Sequence, residues 1–123
     1  MIRGTVNSQR EAMLKLRVRG PGGIEMDFDA VIDTGFSASL TLPSAGIAAL
    51  GLVRQSTSRA VLADGSVRHF GLFEAEVEWD GSWRKVLVSG VGDEVLAGMG
   101  LLAYHQLRVA VVPGGAVEVV AIP

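Results

Sequence analysis

The chain has 123 residues, enough for one domain (1–123) and too few for two independent cores. Eleven Lys and Arg stand against 13 Asp and Glu, so no strong charge draws it to nucleic acid or to an anionic membrane, and neither is expected as a partner. Cysteine is absent, which excludes disulfides, thiol catalysis and zinc-thiolate sites. The hydrophobic fraction of 49% supplies one core, and 20% charged residues argues against disorder. No apolar run approaches the roughly 18 residues a membrane span needs, and Met1 to Asn7 lack a signal peptide's apolar stretch. These features give the expectation of a soluble, cytoplasmic protein.

Sixteen glycines punctuate short β-branched runs, the rhythm of an all-β chain. Leu14, Leu16 and Val18 alternate with Lys15, Arg17 and Arg19, the period of a half-buried strand. Gly20-Pro21-Gly22-Gly23 turns the chain, and Ile24, Met26 and Phe28 resume the alternation, which delivers Ala30-Val31-Ile32 into Asp33-Thr34-Gly35. After Leu40-Thr41-Leu42 a short helix is expected, capped by Ser44 and ended by Gly51. Arg59 to Ala63 and Val67 to Phe73 flank Asp64-Gly65, a hairpin signal. Glu74 to Trp79 and Trp83 to Val88 form a second hairpin about Asp80-Gly81, with Trp79 and Trp83 read as cross-strand packing. Val95-Leu96-Ala97-Gly98 leads to a helical stretch from Leu101 to His105, and Val109 to Val112 and Val117 to Ile122 close the chain. About eight or nine strands at this spacing imply a sandwich or barrel rather than a parallel α/β sheet.

Asp33-Thr34-Gly35 is the segment with a specific chemical reading. From average frequencies an Asp-Thr/Ser-Gly occurs in roughly 5% of chains this long, so the tripeptide alone is weak and its setting matters. An ordinary polar turn is bordered by polar residues. Here Val31-Ile32 precede the motif and Phe36-Ser37-Ala38-Ser39-Leu40 follow it. A hairpin tipped by Ala63-Asp64-Gly65-Ser66 comes about thirty residues later, and Val95-Leu96-Ala97-Gly98 follows in turn.

In this order of features the sequence resembles the retropepsin-like aspartic proteases, especially their small bacterial and ubiquitin-associated relatives. The resemblance implies an all-β closed barrel or sandwich with one or two short helices, assembled as a twofold homodimer acting on a peptide or protein. Ile32 to Gly35 and Leu96 to Gly98 would be its two corresponding crossings. It also implies an endopeptidase without metal or other cofactor, in which Asp33 of each copy supplies half of a catalytic pair. Thr34 would hydrogen-bond across the dimer, and Gly35 would give its N–H to the carboxylate. Ala63, Asp64 and Gly65 would form a flap over substrate, with Gly98 also at the substrate site. The apolar termini, Ile2 to Val6 and Val117 to Ile122, are candidates for interface strands. Phe36 departs from the family pattern, which places Ala or Ser there, and Gly100 replaces a more usual polar residue. The alternative reading is a weak or inactive module of the same fold, used for dimerisation or peptide binding.

Other signals carry less. Gly90-Val91-Gly92 has Val95 where a dinucleotide loop needs its third glycine. Gly35-Phe36-Ser37-Ala38-Ser39 misses the last glycine of a nucleophile elbow. His69 and His105 lack a neighbouring ligand and read as surface or helix-end residues.

Overall fold

The alternation of apolar and polar residues resolves into ten strands of one sheet, with two short helices. The computed structural model describes residues 1–123. In chain order come β1 (Ile2–Val6), β2 (Ala12–Arg19), β3 (Glu25–Ile32), β4 (Leu40–Thr41), α1 (Ser44–Ala49) and β5 (Arg54–Val61). Then follow β6 (Val67–Trp79), β7 (Ser82–Ser89), β8 (Leu96–Ala97), α2 (Met99–Leu102), β9 (His105–Val109) and β10 (Ala116–Ala121).

Strands β2, β3, β8, β4, β7 and β6 are successive neighbours, and β6 returns to β2 through Val18↔Val77 and Arg19↔Glu76. The ring is thereby closed into a barrel. Its interior is the apolar face of each strand: Leu14, Leu16, Val18, Val77, Val88 and Ala97 are at most 1% exposed. Each such buried Leu or Val contributes about 1.5–3 kcal/mol. Ile47 and Leu50 from the α1 region and Leu101 and Leu102 of α2 join the same core.

On the other face of β2 the charges match across the ladder. Lys15 reaches Asp29 at 3.8 Å and Arg17 reaches Asp27 at 2.9 Å. The Arg17 hydrogen bond holds the Asp27 carboxyl below the usual carboxylate range. Arg19, opposite Glu25 in register, instead bonds Glu76 at 3.1 Å, across the seam that closes the barrel.

Two turns explain two hairpins. Asp80 and Gly81 both have positive φ, 51° and 87°, the two-residue turn whose twist suits antiparallel strands. That register sets Trp83 opposite Glu78, so Trp79 and Trp83 stand on opposite faces and do not pack on each other as the sequence reading has them. Trp79 is buried and gives its indole N–H to His105 Nε2 at 3.2 Å, while the Arg19 guanidinium lies 4.0 Å from the Trp83 ring centre. At the β5–β6 tip, Gly65 N–H closes on Leu62 O at 2.9 Å and Gly65 is left-handed at 84°, giving a three-residue loop.

Several boundaries differ from those read in the sequence. Pro43, not Ser44, is the N-cap of α1, with no side-chain capping bond, because its carbonyl already receives Gly46 and Ile47 N–H. Gly51 ends the helix as expected, with φ of 66°. β6 runs unbroken from Phe73 into Glu74, where the sequence reading divides it, since its first half pairs with β5 and its second with β7. Helix α2 lies at Met99–Leu102 rather than Leu101 to His105, and β9 ends at Val109, where the expected strand begins. The terminal strands pair with each other inside the chain, Ile2↔Val119 to Thr5↔Ala116, and β10 is occupied on both edges by β1 and β9. No helix is long and apolar enough to cross a membrane.

Candidate functional site

Asp33 follows β3 directly, and the position of that strand's end is set by a parallel pairing with β8. Val31 matches Leu96 and Ile32 matches Ala97, and Asp33 N–H continues the ladder to Ala97 O at 2.9 Å. The chain then turns: Phe36 N–H reaches Asp33 O at 3.1 Å, and Gly35 N–H donates to Asp33 Oδ1 at 2.9 Å. Gly35 has no positive φ. A Cβ there would lie 3.2 Å from Asp33 Oδ1, a tight approach that the carboxylate would have to relieve by a few tenths of an ångström.

Beneath this loop runs the segment from Gly98 to Gly100. Gly98 N–H bonds Ser39 O at 2.9 Å, Met99 N–H bonds Phe36 O at 2.8 Å, and Gly100 N–H bonds Ala38 O at 3.1 Å. A Cβ on Gly98 would stand 2.1 Å from Ala38 O and 2.5 Å from the Phe36 ring, so only glycine permits this approach. Arg84 secures the far end of α2 by donating to Leu101 O at 2.9 Å and Gly100 O at 3.2 Å.

The loop opens on a cavity of about 370 Å³, with Asp33, Gly35 and Phe36 on one side and Val91, Gly92, Asp93 and Glu94 on the other. Thr41 and Leu96 complete its wall, and no Lys or Arg lines it, so three acidic residues define its charge. Thr41 is 2% exposed. Its hydroxyl donates to Glu94 O at 2.8 Å and accepts from Leu96 N–H at 2.9 Å, tying β4 to the opposite wall.

Of the residues singled out in the sequence, Asp33 and Gly35 meet at this cavity, and Thr34 is exposed between them on the loop. Gly98 is buried under the loop and off the cavity wall. Ala63, Asp64 and Gly65 form the exposed β5–β6 tip, also off that wall. Thr41, Asp93 and Glu94 were not singled out. A threonine between two leucines is a signal for the first. Nothing local marks the two acids, whose place depends on β4 and β8.

The same architecture occurs in solved structures. A retropepsin-like aspartic protease from Rickettsia conorii superposes with a TM-score of 0.62, over 98% of this chain and 89% of its own, at 16% identity. EIAV protease, complexed with the inhibitor HBY-793, superposes with a TM-score of 0.56, over 80% of this chain and 90% of its own, also at 16% identity. This chain has the retropepsin-like fold. By sequence, no family model and no curated protein matches it.

The retropepsin-like fold explains how the cavity arises. β3, a loop, β4 and α1 are followed later by β7, a loop, β8 and α2. β3 runs parallel to β8, and β4 runs parallel to β7. The chain thus crosses itself twice in the same way, and the two loops face each other across the cavity. This corrects one pairing taken from the sequence: the counterpart of the Asp33 loop is the segment from Gly90 to Val95, while Leu96-Ala97 corresponds to Leu40-Thr41. Sequence order alone cannot show which strand runs beside which.

Proposed function

We propose that the 1–123 chain acts as one domain of a homodimeric aspartic endopeptidase, with Asp33 of each copy supplying half of the catalytic pair. The observation that carries this is the setting of Asp33. It lies at a strand end in a retropepsin-like fold, on a loop held from below by backbone bonds to Ala97, Gly98 and Met99 and opening on a cavity. Amide hydrolysis needs a base to activate water and an acid for the carbonyl oxygen and then the leaving nitrogen. Two carboxylates about 3 Å apart cannot comfortably both ionise, so the pair shares one proton and performs both roles. One Asp-Thr-Gly per chain supplies one of the two, so a second copy must bring the other.

Gly35 N–H orients the carboxylate through Oδ1 and leaves Oδ2 for the water. Thr34, exposed beside it, would bond the facing loop of the partner. Ala63, Asp64 and Gly65 would fold over substrate and exclude water, a movement suited to an exposed hairpin tip. Gly98 serves by letting α2 approach the loop. The test is turnover of a mixed peptide library by wild type and Asp33→Asn. Wild type should cleave, with a bell-shaped pH profile, and the variant should fall to background while staying folded. Turnover by the variant would remove Asp33 from the mechanism. A wild type that binds peptides without cleaving them would support the alternative of a non-catalytic peptide-binding module.

A further inference from the structure

We propose that Arg84, which lies outside the cavity wall, is a positioning residue for Asp33 and acts through α2. The proposal rests on the protease reading above and adds to it a group remote from the reacting atoms. Seven of the nine arginines are exposed, and only Arg19 and Arg84 are half-buried. Arg19 has the Glu76 carboxylate at 3.1 Å, whereas Arg84 takes part in none of the ion pairs. A cation drawn out of water is costly unless its donors are met. Here carbonyls meet them: Nη1 donates to Leu101 O at 2.9 Å and Nη2 to Gly100 O at 3.2 Å.

No side chain of α2, which reads Met-Gly-Leu-Leu, can donate to the carbonyls at its own end. The guanidinium does so from β7, and its two N–H groups form a rigid fork that fits two successive carbonyls. Gly100 is the joint. Its C=O is held by Arg84, and its N–H donates to Ala38 O at 3.1 Å. A Cβ on Gly100 would stand 2.9 Å from the Ala38 carbonyl carbon, so the two backbones are in direct contact. Gly98 and Met99, just before it, bond Ser39 O and Phe36 O on the same loop. A single residue therefore separates Arg84 from the loop that begins at Asp33.

Arg84 is itself braced. Its guanidinium lies 5.9 Å from the centre of the buried Trp79 ring, within reach of a cation–π contact. The Trp79 indole N–H can only donate. His105 therefore accepts it at Nε2 and carries its own proton on Nδ1, which it gives to Ala103 O at 2.8 Å. Gly100, Leu101 and Ala103 thus each meet a side chain from β7 or β9, with Trp79 touching both donors. The end of α2 is fixed by Arg84 and His105, while its first residues bond the Asp33 loop.

Two variants test this. Arg84→Lys keeps the stem and the charge but cannot span two carbonyls, and Arg84→Met keeps only the stem. Peptidase activity is followed over a range of protein concentrations. In Arg84→Met kcat should fall by about tenfold or more, and in Arg84→Lys by less, because a small misplacement of the reacting group is enough to slow the chemistry. KM should stay within about twofold, since residue 84 is off the cavity wall. Amide exchange at Met99 and Gly100 should quicken by about tenfold relative to the amides of β2. Should Arg84→Met fail to fold, Arg84→Lys carries the test alone. Unchanged kcat, unchanged exchange, a loss confined to KM, or a loss that disappears at higher protein concentration would each overturn the role. A wild type without turnover, with exchange quickened in the variants, would overturn the protease reading and leave Arg84 as the brace of the loop.

Discussion

Thr41→Val is a near-isosteric substitution that isolates one hydroxyl. In the native chain that hydroxyl serves two backbone groups, Glu94 C=O at 2.8 Å and Leu96 N–H at 2.9 Å, at a site only 2% exposed. Valine leaves both without a partner, and each buried unsatisfied group costs about 1–3 kcal/mol. The added apolar methyl returns about 1 kcal/mol. The net loss is about 1–5 kcal/mol, or a Tm lower by roughly 4–20 °C at about 4 °C per kcal/mol. Thr41→Ser keeps the hydroxyl and gives up a methyl, so it should lose only about 1 kcal/mol. Urea unfolding at one fixed protein concentration measures both, with an unchanged m-value showing that the transition itself is the same. A valine variant as stable as wild type, or a serine variant less stable than the valine one, would refute the bridging role.

Gly98→Ala should cost more than about 2 kcal/mol, because its Cβ meets the Ala38 carbonyl, whereas Gly22→Ala, with nothing within 4 Å, should stay within about 0.5 kcal/mol. Asp64 accepts the Ser66 hydroxyl at 2.6 Å and the Ser66 N–H at 2.9 Å, bonds that hold its carboxyl below the ordinary range. Its contribution is present above the unfolded carboxylate value and is lost as pH falls through the lower folded one, so NMR titration of Ser66→Ala should find the Asp64 midpoint moved upward. The acidic cleft should favour peptides carrying Lys or Arg. Asp93→Asn with Glu94→Gln should lower kcat/KM on such peptides several-fold, with the difference shrinking as salt is raised.

What could be read in the sequence was local. The β2–β3 hairpin follows from Leu14, Leu16 and Val18 against Met26 and Phe28, and its delivery of Asp33 follows from the apolar run before it. Asp80-Gly81 specified its turn because Asp and Gly both tolerate positive φ. What escaped was non-local. The parallel pairing of β3 with β8 joins Val31 to Leu96, and no periodicity reports it. The same holds for Thr41, whose two partners are Glu94 just before β8 and Leu96 at its start, and for β1, which pairs with the last strand. The union of Val67 to Phe73 with Glu74 to Trp79 in one long strand also escaped, because it depends on two different partner strands, and Gly71 lies within the first of these runs. Here it makes room for the Phe73 ring, which a Cβ would approach to 2.9 Å.

The shared catalytic pair is tested most directly by mixing subunits. Wild type is combined with increasing Asp33→Asn under conditions that allow exchange, and peptidase activity is followed at constant wild-type concentration. If each site needs Asp33 from both copies, activity falls toward zero as mixed dimers form, because a dimer with one carboxylate has lost half of its pair. Activity that stays constant at full exchange would contradict the account, since each chain would then carry a complete site of its own.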